Sequence, residues 1–491
     1  MSNERALPPE WVADAVFYQI FPDRFAQSEQ VPKPKRLEPW DVAPTLHGFK
    51  GGDLVGVMDR LDYLQDLGVN AIYFNPIFQS AANHRYHTFD YYEVDPVLGG
   101  NAAFHALLNE AHRRGVRIVL DGVFNHTGRG FFQFNHILEN GPDSLYLDWF
   151  HINGFPLRAY ETDKNPNYAA WWGLAALPKL NTDTPEVREF LWGVGQYWIE
   201  QGIDGWRLDV PGEINDDAFW LEFHRRVKQA NPQAYLVGEI WGDARRWILG
   251  GQFDAAMNYL FARACMAFFL ADTLDERLTE GLSYAPVPRF DAPAFARDIE
   301  HILSLYPEEN NLVQLNLIDS HDTARFLSLA QGDERALCLA VLFQMTFVGA
   351  PCIYYGDEIG MTGARDPDCR RGMIWDVKRW NTSIRDCYKR LIRARHERPA
   401  LRRGAYKTLY AQGRTVVFGR RYGNGTCIIA INAGRNTKTL DIPIAGYLPD
   451  GAILKGVCKD ETLKVIDGAI HDLKLSPQSG RIFDCLPDAA G

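Results

Sequence analysis

The sequence predicts an α/β fold: a (β/α)8 barrel that carries an irregular subdomain after its third strand, followed by a C-terminal antiparallel β-sandwich domain. Three observations lead to this fold. An amphipathic helix pattern, a glycine and a short β-branched run recur along most of the 491-residue chain. A long stretch rich in Asn, Gly, Pro and Trp interrupts this rhythm once. Short strand patterns replace it near the C-terminus.

The repeating unit predicts a helix followed by a buried strand, as residues 102–126 illustrate. Apolar residues spaced three and four apart define one helical face. Gly115 is suited to a left-handed helix cap, and the β-branched run at 116–120 is typical of a strand. The apolar face consists of Phe104, Leu107, Leu108 and Ala111, and the polar residues at the strand's end are Asp121, Asn125 and His126.

A second copy begins at Thr184 and Pro185, which are typical of an N-cap and a first helical turn. Its helix leads through Gly202 to a strand that ends in Arg207 and Asp209. Eight parallel strands with helices between them suggest a barrel, whose active site is expected at the C-terminal strand ends. The predicted strands lie near residues 16–20, 71–75, 118–123, 205–210, 235–240, 255–258, 313–318 and 352–355, and 255–258 carries the weakest signal.

The domain boundaries follow from two breaks in this pattern. Between His126 and Thr184 lie far more residues than a loop from strand to helix usually contains, so 127–182 is predicted to form an inserted subdomain B over the barrel mouth. The barrel then comprises 1–126 and 183–402. A hairpin pattern with Asn424-Gly425 in its turn indicates a separate C-terminal β domain at 403–491.

Composition excludes several classes of partner. Apolar residues make up 46% and charged residues 23%, as in an ordinary globular protein. The balance of 52 basic and 62 acidic residues gives a formal charge of −10, without a basic run that would favour nucleic acid. No signal peptide and no 18-residue apolar stretch is visible, so we expect a cytoplasmic protein that does not bind a membrane. The 8 cysteines lie far apart and are expected to be buried reduced thiols.

Three acidic residues are the strongest catalytic candidates, because each follows an apolar run at a predicted strand end. They are Asp209 in GWRLDV, Glu239 in LVGEIW and Asp322 in NLIDSHDT. Each alone is more often a helix cap or an ion-pair partner. Together they suit glycoside hydrolysis, in which two carboxylates about 5–5.5 Å apart act as nucleophile and as acid and then base.

The motifs around these acids resemble the four signature regions of the α-amylase family of glycoside hydrolases. They are DGVFNH at 121–126, GWRLDVPGE at 205–213, GEIW at 238–241 and LIDSHDTAR at 317–325. LPKLN at 177–181 resembles a fifth region, in the lysine form of the neopullulanase, cyclomaltodextrinase and maltogenic amylase subfamily. The run from 349 to 376 is also similar to that subfamily, and the likeness covers roughly residues 11 to 485.

The resemblance implies a role for each acid. Asp209 is expected to be the nucleophile and Glu239 the general acid and base, which requires a raised pKa at Glu239. Asp322 is expected to bind sugar hydroxyls and favour the distorted ring. Arg207, two residues before Asp209 on the same strand face, is expected to keep that carboxylate ionised.

The resemblance also implies substrate-binding residues. His126 and His321 are expected to donate hydrogen bonds to the sugar in the cleavage subsite, and Tyr91 to stack its ring on that sugar. Arg325 matches a position close to the acids, and Glu213 matches a subfamily glutamate on the acceptor side. Substrate stacking and a role in a small core remain alternatives for Trp171, Trp172 and Phe155.

The chain departs from the subfamily pattern in three ways. The motif AVFYQIFPDRF begins at residue 15, so we expect the usual N-terminal β domain to be missing; this leaves the oligomeric state and the preference for small substrates open. AQSEQVPKPK replaces an Asn- and Asp-rich calcium segment, so no calcium or other cofactor is expected although Asp53 remains. His87, Arg365 and the Pro211-Gly212 pair are unusual near the expected cleft, so fine specificity is not inherited.

The sequence therefore predicts a retaining hydrolase of α-1,4-glucosidic bonds in maltooligosaccharides and cyclodextrins. Pullulan and starch are open as further substrates, and some transglycosylation is expected. One alternative is a 4-α-glucanotransferase or glucoside isomerase on the same scaffold. A remote alternative is a non-catalytic carbohydrate-binding relative, which is disfavoured because all three acids are present.

Overall fold

The computed structural model describes residues 7–161 and 163–485. Its central element is a parallel barrel whose strands are buried along nearly their whole length. We number these strands β1 to β8 in chain order. They are β1 Phe17–Ile20, β2 Ala71–Phe74, β3 Arg117–Gly122, β4 Gly205–Leu208, β5 Tyr235–Gly238, β6 Ala255–Ala256, β7 Leu315–Asn316 and β8 Ala350–Tyr354.

Every neighbouring pair in the barrel is parallel, in the order β6-β5-β4-β3-β2-β1-β8-β7. A parallel bridge between Met257 and Leu315 joins the two outermost strands and closes the ring. All eight predicted strands are therefore confirmed, including the weak sixth, which is only two residues long. Several strands end earlier than predicted, so their terminal polar residues lie beyond the hydrogen-bonded ladder, at the mouth.

Two apolar layers fix the barrel. Side chains such as Phe17, Tyr73, Val237 and Leu315 fill its interior. The opposite strand faces pack against the helices around the barrel, where Trp198 and Trp206 are fully buried. The α-helices are Pro22–Phe25, Leu54–Met58, Leu61–Leu67, Gly100–Arg113, Phe132–Asn140, Pro185–Glu200, Asp217–Ala230, Arg245–Leu249, Tyr259–Phe269, Ala292–Ser304, Glu308–Asn311, Phe326–Leu329, Glu334–Thr346, Thr382–Glu397 and Pro399–Arg403.

The predicted helix signals hold with one correction. Gly115 has a φ of +74°, which suits glycine, and the predicted face of Gly100–Arg113 is buried. Thr184 stands at the N-cap of Pro185–Glu200, but its side chain does not cap the helix. The hydroxyl donates instead to the carbonyl of Asp148, at 2.5 Å.

The segment 127–182 carries little regular structure. An isolated bridge from His126 to Lys179 attaches it to the chain that follows β3, and a bridge from Phe150 to Leu180 joins two parts of the segment itself. Its own apolar centre joins the main core through Phe131, Phe134, Phe150, Tyr168 and Leu180. A hairpin of Phe78–Ser80 and Thr88–Val94 lies between β2 and the next helix.

An eight-stranded antiparallel sheet follows the barrel, in the order β9-β10-β11-β16-β13-β14-β15-β12. Apolar side chains from both halves of the sheet meet in one core, as in a sandwich. The predicted hairpin turn is shifted by one residue: Gly425 already pairs with Tyr422, so the loop is Gly423-Asn424, with φ +55° at Gly423. These strands are β9 Ala405–Gln412, β10 Thr415–Tyr422, β11 Gly425–Asn432, β12 Lys438–Pro443, β13 Ile453–Gly456, β14 Thr462–Ile466, β15 Ala469–Leu475 and β16 Ser479–Cys485.

Two further sequence expectations can be compared with the structure. No disulfide joins any of the eight cysteines, all of which lie among the described residues. Five of them are buried, Cys338 and Cys485 are half-buried, and Cys458 is exposed, so the prediction of burial fails for three. Within residues 7–161 and 163–485, no helix has the length and apolarity needed to cross a membrane.

Candidate active site

Arg207 is the centre of the charged cluster at the barrel mouth. Its side chain is fully buried near the end of β4. Nη1 donates to Oδ1 of Asp121 at 2.9 Å and to Oδ1 of Asp209 at 2.8 Å. Nη2 lies 3.0 Å from Oε2 of Glu239. One guanidinium therefore contacts three carboxylates from the ends of three adjacent strands.

The local backbone explains why these side chains converge. Arg207 and Asp209 are two residues apart and so project to the same side of their extended segment. The Asp209 amide donates to the Gly122 carbonyl and the Glu239 amide to the Leu208 carbonyl, which continues the parallel register past the strand ends. The residue after Asp209, Val210, then turns with a φ of +36°, and its amide donates to Oε2 of Glu239.

The third acid, Asp322, lies in the loop after β7. Its Oδ1 contacts Nη2 of Arg370 at 3.1 Å, and its Oδ2 lies 3.1 Å from Nε2 of His321. The side chain of Asp322 is 30% exposed, whereas those of Asp209 and Glu239 are 8% and 6% exposed. The buried pair thus lies at the floor of the mouth, and Asp322 is open to an incoming ligand.

His321 and Tyr86 belong to one hydrogen-bonded network. The Tyr86 hydroxyl donates to Oδ2 of Asp121 at 2.9 Å and lies 2.7 Å from Nε2 of His321. Their rings are parallel within 8°, with centroids 5.7 Å apart. Gln19 contacts Nδ1 of the same histidine at 2.8 Å. The side chains of Gln19 and Tyr86 therefore hold His321 from both nitrogen atoms.

Burial raises the pKa of the carboxyl groups in this cluster. The pKa of Asp121 is raised to about 6, and those of Asp209 and Glu239 are also raised, because desolvation outweighs the charge of Arg207. Three acids share one cation, so the cluster retains a proton more readily than separate carboxylates do. A raised pKa at Glu239 is what a general acid requires.

Burial also keeps the histidines of the site neutral. It lowers the pKa of His126 to about 3 and that of His321 well below its usual value. A neutral imidazole carries one N–H donor and one acceptor nitrogen. In His321 both nitrogens already contact protein groups, so a sugar hydroxyl that binds this ring has to share a nitrogen with Gln19 or Tyr86.

Two sequence predictions of substrate contact are wrong. The Tyr91 ring is completely buried among Phe78, Phe124 and Phe131, and its hydroxyl donates to the Val123 and His126 carbonyls. It has no free face for a sugar. Tyr86, in the loop before Thr88–Val94, is the tyrosine that reaches the acidic cluster.

Arg325 is also buried, away from the ligand side. Its guanidinium donates to Oδ1 of Asp357 at 2.7 Å and to the carbonyls of Tyr355 and Cys369. The prediction that it binds substrate fails because the chain turns into the helix Phe326–Leu329 directly after it. Arg370, which sequence reasoning missed, contacts Asp322 instead.

The remaining predicted residues surround the mouth. His126 is buried and stacks on Trp171, with ring centroids 5.3 Å apart. Glu213 lies half-exposed at the rim, where its Oε2 is 3.6 Å from Nζ of Lys179. Sequence reasoning places Asp121 at a strand end but does not select it as a site residue, although its position at the end of β3 gives the same signal as Asp209.

The surroundings of Asp53, the residue that remains from the calcium segment of relatives, do not suit the ion. Asp53 accepts hydrogen bonds from the amides of Gly56 and Ser28, and its Oδ2 also contacts the ammonium of Lys33. Calcium takes six to eight oxygen ligands. Here a lysine ammonium, itself a cation, already occupies the carboxylate that calcium would need. Nowhere in 7–161 or 163–485 do three His, Cys, Asp or Glu residues form a metal-binding group.

A parallel barrel with two buried carboxylates joined through one arginine at its mouth defines the class, a glycoside hydrolase. Comparison with known families identifies it further. The alpha amylase catalytic domain model matches residues 19–404, and the neopullulanase-like C-terminal domain model matches residues 406–483. The chain therefore belongs to the α-amylase family and is a hydrolase of that family.

Individual relatives agree with this assignment. The chain is 46% identical to neopullulanase 2 of Thermoactinomyces vulgaris over 89% of this chain and 73% of that one. It is 44% identical to a cyclomaltodextrinase of Geobacillus thermopakistaniensis over 89% of this chain and 71% of that one. The native structure of the Nostoc punctiforme debranching enzyme is 50% identical, with a TM-score of 0.90 over 97% of this chain and 99% of that one.

Proposed function

We propose that this protein is a retaining hydrolase of α-1,4-glucosidic bonds in maltooligosaccharides and cyclodextrins. The observation that carries the proposal is the contact of one buried guanidinium, that of Arg207, with both Asp209 and Glu239. This contact keeps the two carboxylates close together at one small mouth. The relatives named neopullulanase and cyclomaltodextrinase support the choice of α-glucans as substrates.

The proposed reaction is a double displacement. Protonated Glu239 donates its proton to the glycosidic oxygen while Asp209 attacks the anomeric carbon, so the leaving chain departs as an alcohol and a glycosyl ester forms. Glu239, now ionised, takes a proton from water. The water oxygen attacks the same carbon, the ester bond breaks, and Asp209 returns to its ionised form.

The direct hydrogen bond from Arg207 to Asp209 opposes the rise that burial causes in the pKa of this carboxyl group. Trp241 donates to Oε1 of Glu239 at 3.1 Å, and its ring stacks on Tyr259 with the centroids 3.8 Å apart. Asp322, His321 and His126 are proposed to bind hydroxyls of the distorted sugar ring. The ring of Tyr86, and not that of Tyr91, is proposed to lie beneath this sugar ring.

The experiment is a product analysis with maltotriose, a cyclodextrin, pullulan and starch. Glucose and maltose as the only products of maltotriose support hydrolysis. Longer oligomers favour the alternative of a glucanotransferase, and rearranged disaccharides favour an isomerase. No turnover of any of the four would overturn the proposed function.

We further propose that the enzyme acts in the cytoplasm and binds no calcium. The intracellular maltogenic amylase of Bacillus subtilis, 42% identical over 80% of this chain and 63% of that one, supports the location. The ion pair between the Lys33 ammonium and the Asp53 carboxylate supports the proposal that the protein folds without calcium. Thermal unfolding that is unchanged by a calcium chelator is the expected result, and a lowered midpoint would contradict it.

A further inference from the structure

A stack of three aromatic rings leads from the acidic mouth to the protein surface. The His126 ring lies 5.3 Å from that of Trp171, with 20° between the planes. Trp171 in turn lies 4.4 Å from Trp172, with 11° between the planes. His126 is buried, whereas Trp172 is 80% exposed. One face of Trp172 is thus supported from within, and the other is open to solvent.

The loop that carries these rings is held firmly. Ala170 and Pro178 form an antiparallel bridge, and the Trp171 amide donates to the Leu177 carbonyl at 3.0 Å. Lys179, next along the chain, pairs with His126. The loop is therefore a tight hairpin attached to the end of β3, and Trp172 lies near its tip.

The backbone at Trp172 is strained without any gain in burial. Its φ of +50° lies in the left-handed region, which a bulky non-glycine residue rarely adopts. A residue that serves the core would recover this cost through packing, but neither Trp171 nor Trp172 belongs to the apolar clusters of the described residues. Strain kept at an exposed position points to a binding role.

One polar atom in the stack lacks a partner. Nε1 of Trp171 is buried and forms no hydrogen bond among the described residues. An unpaired buried donor costs free energy, which a ligand that carries hydroxyl groups can recover. The ammonium of Lys179 and the carboxylate of Glu213 flank the same rim, and charged and polar groups beside an aromatic face suit a sugar.

We propose that the exposed face of Trp172 is a binding platform for a glucosyl ring of the substrate chain, beyond the sugar held by His126. The proposal rests on the proposed function and adds a preference for chain length. A maltooligosaccharide long enough to reach from the acids to Trp172 gains one stacking contact, and a shorter one does not. Trp172 is a binding residue and takes no part in bond cleavage.

The test measures binding separately from catalysis. In an Asp209→Asn background, the Kd of maltoheptaose and of maltose is measured by titration calorimetry with and without Trp172→Ala. Loss of the ring is expected to raise the Kd of maltoheptaose about tenfold, which matches the free energy of one aromatic contact. The Kd of maltose is expected to stay unchanged. Trp172→Phe, which keeps a ring, is expected to restore most of the affinity.

A matched control is Tyr422→Ala, which removes an exposed ring from the C-terminal sheet and is expected to change neither Kd. Equal Kd values for maltoheptaose with and without Trp172→Ala would overturn the platform. An equal loss of affinity for maltose would also overturn it. If the Asp209→Asn parent bound neither sugar, the proposed function itself would fail, and the two failures are thereby distinguished.

Discussion

Two buried arginines in the barrel each gather carboxylates, but only one of the clusters reaches solvent. Arg207 contacts Asp121, Asp209 and Glu239 beneath the mouth. Arg325 pairs with Asp357 in a closed site that also contains Asp319. In both clusters burial raises the pKa of the acids.

Access to solvent, rather than charge, makes one of these clusters a candidate catalytic site. Asp209 and Glu239 retain a little exposure, and Glu239 lies near the open carboxylate of Asp322. Asp319 and Asp357 face each other, and Arg325, Glu358 and backbone groups lie beside them. We therefore expect changes in the first cluster to alter turnover and changes in the second to alter stability.

The largest expected effect is that of Asp209→Asn. Loss of the nucleophile should lower kcat on maltotriose by roughly four orders of magnitude or more, as removal of a catalytic nucleophile does elsewhere. Stability should change little, because Arg207 keeps Asp121 and Glu239 as partners. Product analysis and thermal unfolding measure the two effects, and turnover within tenfold of the parent would contradict the assignment.

The closed cluster should behave in the opposite way when its cation is removed. Arg325→Met leaves Asp357 buried without its partner and should lower the free energy of unfolding by about 3–5 kcal/mol. The folded fraction should keep its kcat. Arg207→Met is the comparison variant and should lower kcat strongly. The distinction between the clusters would be lost if both variants reduced kcat to the same extent in folded protein.

A smaller effect is expected in the pH dependence of stability. Burial and repulsion from Asp319 raise the pKa of Asp357 well above its usual value of 3.8. A group with a raised folded-state pKa contributes stability that is fully present below its unfolded pKa and is lost as pH rises through its folded pKa. Asp357→Asn should therefore flatten the decline of stability above pH 4.

Urea unfolding at several pH values from 4 to 8 measures this slope for the parent and for Asp357→Asn. Parallel curves for the parent and Asp357→Asn would show that Asp357 binds no extra proton in the folded state.

The smallest expected effect separates the two tyrosines. Tyr91→Phe removes a hydroxyl that donates to two backbone carbonyls, so it should cost about 1 kcal/mol of stability and leave kcat within about twofold. Tyr86→Phe breaks the contacts with Asp121 and His321 and should lower kcat further. Steady-state kinetics of both variants decide the order, and a larger kcat loss in Tyr91→Phe would reverse it.

Much of the architecture could be predicted from the sequence, because periodic apolar runs specify helices and buried strands directly. The acids could be found for a related reason, since each follows such a run and strand ends in a barrel meet at one edge. Asp121 obeys the same rule, although sequence reasoning did not select it as a site residue.

The orientation of irregular segments could not be read in this way. Tyr86 and Tyr91 lie five residues apart around an irregular hairpin, and only its register decides which ring faces the mouth. Arg325 follows the active-site loop in sequence, but the chain turns there and directs the side chain to Asp357. Such facts depend on tertiary packing, which a local pattern does not contain.

The most direct test of the account is the anomeric form of the first product. Proton NMR during the first turnovers of maltotriose should show the newly formed reducing end as the α-anomer, because attack by Asp209 followed by water inverts the carbon twice. Release of the β-anomer would mean a single displacement by water. It would contradict the pairing of Asp209 and Glu239 at one carbon.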